Sequence, residues 1–142
     1  MSLDPVVPLE DVGVRVPLWV STFLLPLALE YLDGRAWRLL AGFDYECVVL
    51  ERVIVIPSGF LTDFASMPRA LWPLLPPTGR YGKAAVVHDF LYRTAGQATR
   101  LEADQVLVEA MTALAVGRLT RWTIYAGVRV GGRASYHGGL VR

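Results

Sequence analysis

One cysteine, Cys47, stands in a chain of 142 residues, which excludes an intrachain disulfide and any cysteine-based zinc cluster and is compatible with a reducing compartment. Histidine is nearly as scarce, with His88 and His137 only, too few to furnish the several histidines of a metal-dependent phosphohydrolase site. Charge of one sign is also lacking. Fourteen basic and 13 acidic residues leave a net charge of +1, so the molecule as a whole carries no field that would draw nucleic acid or an acidic surface. A long apolar run is missing too. The richest early stretch, 16–32, is interrupted by Pro17 and Pro26 and closed by Glu30, short of the roughly 20 apolar residues a spanning helix needs. No basic segment precedes it and no small-residue cleavage site follows, so neither a transmembrane segment nor an export signal is expected. Repeats and low-complexity tracts are absent.

What is present is ample apolar mass. With 54% hydrophobic residues, 142 residues suit a single domain, 1–142, with its own core. Its first half reads as β and its second as α, with the change of character near 68–77. Residues 22–31 and 36–45 flank Asp33-Gly34, a dipeptide whose tolerance of positive φ suits a tight hairpin. The β-branched run 48–56 stops at Pro57-Ser58-Gly59 and reads as a further strand. Three prolines and two glycines in 72–82 exclude a regular helix or central strand there.

Three helices follow. The first spans 83–93, before Thr94-Ala95-Gly96. The second starts on Thr99-Arg-Leu-Glu102, the capping-box pattern, and runs to about Val116 with Gly117 as its stop. The third spans 119–130, ended by Gly131-Gly132. The fold class expected is therefore α+β: an N-terminal antiparallel sheet of three or four strands, 22–56, then an antiparallel helical hairpin and a third helix, 83–132.

The chemically informative feature is a carboxylate among apolar positions. The second helix has an apolar stripe of Leu101, Leu107 or Val108, Met111, and Leu114 or Ala115, and Asp104 falls on it, whereas Gln105, Glu109 and Thr112 take the wet side. A carboxylate turned inward costs several kcal/mol unless it is paired. His88 offers a partner, since it shares a helix face with Ala84, Ala85, Leu91 and Tyr92, and a connection of about five residues forces the two helices antiparallel. If Asp104 receives the Nδ1 proton, the other ring nitrogen is left to take a proton from water or a nucleophile. A structural His-Asp pair fits the same pattern. Asp89, about 100° round the helix, is placed either to hold a cation or to pair with Arg93 at i+4.

Two further clusters stand out. Asp63 and Ser66, at i and i+3 within 62–69, read as a turn cap or as a pocket wall; no glycine-flanked elbow surrounds Ser66 to make it a nucleophile. From 117 to 142 there are five arginines, Arg118, Arg121, Arg129, Arg133 and Arg142, no acid, and interleaved Trp122, Tyr125 and Tyr136. This tail is a solvated basic face or a surface for phosphate groups of lipid or nucleic acid.

Several motifs in fixed order carry a resemblance: Ile56-Pro-Ser-Gly-Phe-Leu-Thr-Asp-Phe-Ala-Ser-Met-Pro-Arg69, Trp72, Leu75-Pro-Pro-Thr-Gly-Arg-Tyr81, Ala84-Ala-Val-Val-His-Asp-Phe-Leu-Tyr-Arg93, Ala103-Asp104 and Glu109-Ala-Met111. Over about 22–132 the chain resembles the phage and prophage proteins grouped as domain of unknown function 1353. That resemblance implies a tailed-phage setting, in the host cytoplasm or the virion, and no mechanism. His88-Asp89-Phe-Leu-Tyr92 with Asp104 also resembles phospholipase A₂ enzymes, in which a His-Asp-x-x-Tyr helix meets an aspartate on an antiparallel helix. This second likeness implies His88 as general base, Asp104 as its orienter and Asp89 as a calcium ligand. The cofactor is otherwise unknown: the disulfides usual there are absent, 76–82 matches the calcium loop only loosely, and calcium needs six to eight oxygens.

The site expected is a pocket of Asp63, Ser66, His88, Asp89, Tyr92 and Asp104. Three functions fit it: a hydrolase acting on an ester of a lipid or cell-envelope polymer during entry or lysis, a virion tail or neck component in contact with other virion proteins, or a host-directed binding protein that uses the basic tail.

Overall fold

The computed structural model describes residues 6–9, 14–17, 27–33, 36–63, 73, 81–133 and 136. Strands β1 (Val6–Leu9) and β2 (Val14–Pro17) pair antiparallel, ahead of the first strand expected from sequence. Next come β3 (Leu29–Tyr31), β4 (Trp37–Leu39), β5 (Phe43–Cys47), β6 (Arg52–Ile56) and β7 (Leu61–Thr62), all paired antiparallel, in the orders β3-β4-β7 and β5-β6. Helices α1 (Gly82–Arg93), α2 (Arg100–Ala113) and α3 (Arg118–Gly131) complete an α+β fold with strands before helices.

The Asp33-Gly34 signal marks a true hairpin: Tyr31 pairs with Trp37, and the Leu32 amide donates to the Ala36 carbonyl at 2.8 Å. Two other strand expectations are corrected. The stretch 36–45 is not one strand; it breaks at 40–42 and resumes as β5 in a different sheet. Gly42 is where the chain presses on its neighbour, since a Cβ there would lie 2.7 Å from the Ile56 carbonyl oxygen and 2.8 Å from the Ser58 amide nitrogen. The run 48–56 is likewise divided, because Val48–Glu51 is a turn and β6 begins at Arg52. Glu51 takes φ 53° there, an uncommon conformation for a side chain of its size.

What overrides the β-branched preference of Val48 and Val49 is a distant carboxylate. Glu109, placed by periodicity on the wet side of its helix, instead reaches this turn. Its Oε1 accepts from the Tyr45 hydroxyl at 2.5 Å and the Val48 amide at 3.1 Å, and its Oε2 accepts from the Val49 amide at 3.0 Å. Burial and the Glu109 carboxylate both drive the Tyr45 hydroxyl far above its ordinary range, so it stays protonated and keeps donating. Glu109→Ala is expected to cost about 2 kcal/mol, since charge-assisted bonds are lost at a partly exposed site. Urea denaturation reads the loss, and hydrogen exchange should quicken first at the Val48 and Val49 amides; unchanged exchange there would show that the turn holds itself.

β5 and β6 alternate strictly. Phe43, Tyr45, Cys47, Ile54 and Ile56 face the core, while Glu46, Val53 and Val55 face out. Helix α1 packs against β6 and β7 on one side and α2 on another. It is therefore buried almost all round, through Lys83–Asp89, Leu91 and Tyr92. The capping box at Thr99 and Glu102 forms as the sequence indicates, with Glu102 N to Thr99 Oγ1 at 3.1 Å and Thr99 N to Glu102 Oε2 at 2.8 Å. Helix α2 ends at Ala113, three residues earlier than expected. Ala115, at φ 59°, takes the left-handed position usually given to glycine, and the Val116 amide donates to Met111 and the Ala115 amide to Thr112. Leu101 of the expected apolar stripe is exposed, and the inward face is formed by Ala103, Asp104, Val106, Leu107, Ala110 and Met111.

Candidate functional site

α1 and α2 meet as the short 94–99 connection requires, and His88 faces Asp104 across them. The His88 Nε2 lies 2.7 Å from Asp104 Oδ1, and both side chains are 0% exposed. This corrects the expectation that Nδ1 would meet the carboxylate. Packed helix axes stand about 8–10 Å apart, so the ring nitrogen farther from the backbone is the one that spans the gap. Nδ1 is left buried with no hydrogen-bond partner among the described residues.

Two further groups complete the Asp104 shell. The Tyr92 hydroxyl donates to Oδ1 at 2.6 Å, and Arg129 Nη1 on α3 donates to Oδ2 at 2.8 Å. Burial by itself would raise the Asp104 carboxyl, but the hydrogen bonds from His88, Tyr92 and Arg129 outweigh it and hold the group below its ordinary range. The carboxylate is thus ionised, with Arg129 as its counter-charge. Nε2 then carries the proton that it donates to Asp104. Burial and the same carboxylate raise the Tyr92 hydroxyl, so it too remains a donor.

Arg129, expected in a solvated basic face or a surface for phosphate groups, is instead engaged by Asp104. A signal for it existed: an inward acid on α2 without a cation, and a tail of arginines without an acid. Arg100 helps place it, donating from Nη2 to the Val128 carbonyl at 3.1 Å and also to the Arg129 carbonyl.

Asp89 belongs to a second network. Its Oδ2 accepts from Thr62 Oγ1 at 2.5 Å and lies 3.1 Å from Arg93 Nε, and Arg93 also binds Asp63. Of the two roles open to Asp89 from sequence, the i+4 pair with Arg93 is the one formed. Thr62, not among the residues expected in the pocket, is the buried partner that ties β7 to α1. Asp63 sits half-exposed at the outer end of this network. Ser66 lies outside the described residues. The expected pocket of six therefore divides into an Asp104 group, with His88 and Tyr92, and an Asp89 group, with Asp63.

Asp89 holds a guanidinium and a hydroxyl on one oxygen, and among the described residues no three histidine, cysteine or carboxylate side chains converge as a metal-binding group. Residues 76–80 of the loop matched to the calcium site lie outside the described residues.

Tyr92 is held from behind by Gly132. A Cβ at that position would lie 2.8 Å from the Tyr92 hydroxyl oxygen and 2.6 Å from the Val128 carbonyl oxygen. Gly132→Ala is expected to cost about 1–3 kcal/mol as overpacking and to push Tyr92 off Asp104. Denaturation of this variant, of Tyr92→Phe and of the double variant tests the route: losses that simply add would show that the glycine acts elsewhere.

A model of the family described as "Protein of unknown function (DUF1353)" matches residues 37–128, a span that holds both networks except Arg129. No curated protein and no solved structure matches the chain.

Proposed function

The chain belongs to the DUF1353 family, and we propose that it is a phage- or prophage-encoded hydrolase in which His88, oriented by Asp104, activates water against an ester of a lipid or cell-envelope polymer during entry or lysis. The phage setting rests on the motif resemblance described above, as does the placement in the host cytoplasm or virion. The chemistry rests on one observation: His88 Nε2 is fixed by Asp104 while Nδ1, buried, has no partner among the described residues. A histidine kept only for packing gains by satisfying both nitrogens, because an unmet buried polar atom costs about 1–3 kcal/mol. A ring with one nitrogen anchored and the other bearing a lone pair is the arrangement of a general base.

In the step proposed, Nδ1 takes a proton from a water molecule as the water oxygen bonds to the ester carbonyl carbon. The imidazolium so formed is stabilised by Asp104, whose charge Tyr92 and Arg129 hold in place. The tetrahedral intermediate collapses by breaking the bond to the alkoxy oxygen, which takes the proton back from Nδ1. Acid and alcohol leave and the histidine is restored.

A second reading is favoured by a different observation, that His88 and Asp104 have no exposed surface. In that reading the pair is a lock between α1, α2 and α3 in a non-enzymatic virion tail or neck component. His88→Gln separates the two. The glutamine amide can replace the Nε2 donor to Asp104 but supplies no base, so a hydrolase loses turnover of carboxylic esters and keeps its fold, whereas a structural component keeps its fold, has no turnover to lose and co-purifies with particles.

A further inference from the structure

Helix α3 is apolar on two opposite sides. One side carries Ile124 and Val128 into the core. On the other, Leu119, Trp122, Ala126 and Val130 follow one another at spacings of three, four and four, which places them in a single line along the helix. They are turned to solvent: Leu119 is 82% exposed, Trp122 52% and Val130 87%. Scattered apolar residues on a surface need no explanation, but an aligned stripe does. Arg118 at its start and Arg133 just past its end are both exposed, and no acidic residue occurs anywhere from 117 to 142. The other two described arginines of this segment are engaged elsewhere, Arg129 by Asp104 and Arg121 by the Val116 carbonyl at 2.6 Å.

From this we infer that the outer face of α3 is a docking surface for an anionic lipid bilayer. The stripe is one side chain wide and roughly 17 Å long. Its three large side chains offer on the order of 400 Å², about half of the roughly 800 Å² per partner that a stable protein interface buries. A second copy of the chain is therefore poorly served by it, whereas a helix lying in a membrane interface needs only such a stripe sunk to acyl-chain depth, with cations at headgroup level. Trp122 stacks edge-on with Tyr125, the ring centroids 5.6 Å apart, and both rings pair an apolar body with a polar edge as interfacial aromatics do. Arg118 and Arg133 supply the charge that selects an anionic surface over a zwitterionic one. This surface is distinct from the His88 site and stands whether or not that site is catalytic.

Co-sedimentation of the full chain with vesicles tests it. Binding is expected to vesicles of phosphatidylcholine with phosphatidylglycerol, not to phosphatidylcholine alone, and to weaken as salt rises. Arg118→Ala with Arg133→Ala should weaken binding roughly 25-fold, each arginine counting for about fivefold. Leu119→Ser with Trp122→Ser and Val130→Ser should abolish it; all three side chains are exposed, so circular dichroism should report an unchanged fold. Failure of the wild type to bind anionic vesicles at low salt would overturn the inference, and that readout needs no variant. So would binding that falls with the arginines but is indifferent to the stripe, which is the behaviour of a nucleic-acid or other purely electrostatic surface. A wild type that light scattering finds dimeric and the stripe variant monomeric, without vesicle binding, would assign the face to a second copy instead.

Discussion

His88→Gln is expected to lower the rate of ester hydrolysis by roughly 10²–10⁴, the usual contribution of a positioned general base, while leaving the unfolding free energy from urea denaturation within about 1 kcal/mol of wild type. The asymmetry comes from the two ring nitrogens. Nε2 is structural, spanning from α1 to Asp104 on α2 at 2.7 Å, and glutamine restores a donor near that point. Nδ1, buried and without a partner among the described residues, has no counterpart in glutamine. His88→Asn makes the complementary test, because its amide sits nearer the Nδ1 position and cannot reach Asp104, so it should lose stability as well as rate. A panel of p-nitrophenyl esters and phospholipid vesicles serves as substrate. Turnover by wild type that persists in His88→Gln would remove His88 from the chemistry. No turnover by wild type on any ester, with His88→Gln as stable as wild type, would leave the packing role between three helices as the working account.

Asp104→Ala should be the most destabilising substitution at this site, costing about 3–5 kcal/mol, because it leaves His88 and Tyr92 buried with their donors unmet. The lower end is expected, since Arg129 is 32% exposed and can turn to water. That loss is a large share of the roughly 5–15 kcal/mol that holds a domain together. The same carboxyl sets an acid limit. Its folded value lies below its ordinary 3.8, so its contribution is fully present above that value and is lost as pH falls through the lower, folded one. Wild type should therefore lose stability below about pH 4, and Asp104→Asn, which cannot titrate, should be weaker at neutral pH but flatter across that window. Equal acid slopes for the two proteins would place the acid sensitivity at other carboxylates.

Several features could be read in the sequence because they are local. Thr99 and Glu102 declare a helix start whatever the rest of the chain does. Asp104 stands out as an acid on an apolar stripe, and a connection of a few residues leaves the antiparallel meeting with His88 as the economical way to satisfy it. The Asp33-Gly34 hairpin is legible for the same reason. The misread features lie where a distant group intervenes. Val48 and Val49 look like strand residues until Glu109, some sixty positions away, accepts their amides and makes a turn of them. Ala115 is a different case, a local left-handed cap closed on the Met111 and Thr112 carbonyls, which a residue with a Cβ does not announce as a glycine would.

By itself, then, the sequence determined that strands precede helices, the helical hairpin, and the need of Asp104 for a partner, since periodicity, capping and loop length act over a few residues and survive any arrangement of the whole. Only the tertiary structure decided that Nε2 rather than Nδ1 meets the carboxylate, that Arg129 from a third helix supplies its counter-charge, that Asp89 turns to Thr62 and Arg93, and that the second apolar side of α3 faces solvent. Each of these depends on how far apart two helices pack and how each is rotated about its axis, quantities set by the summed packing of the core and written in no single stretch of chain.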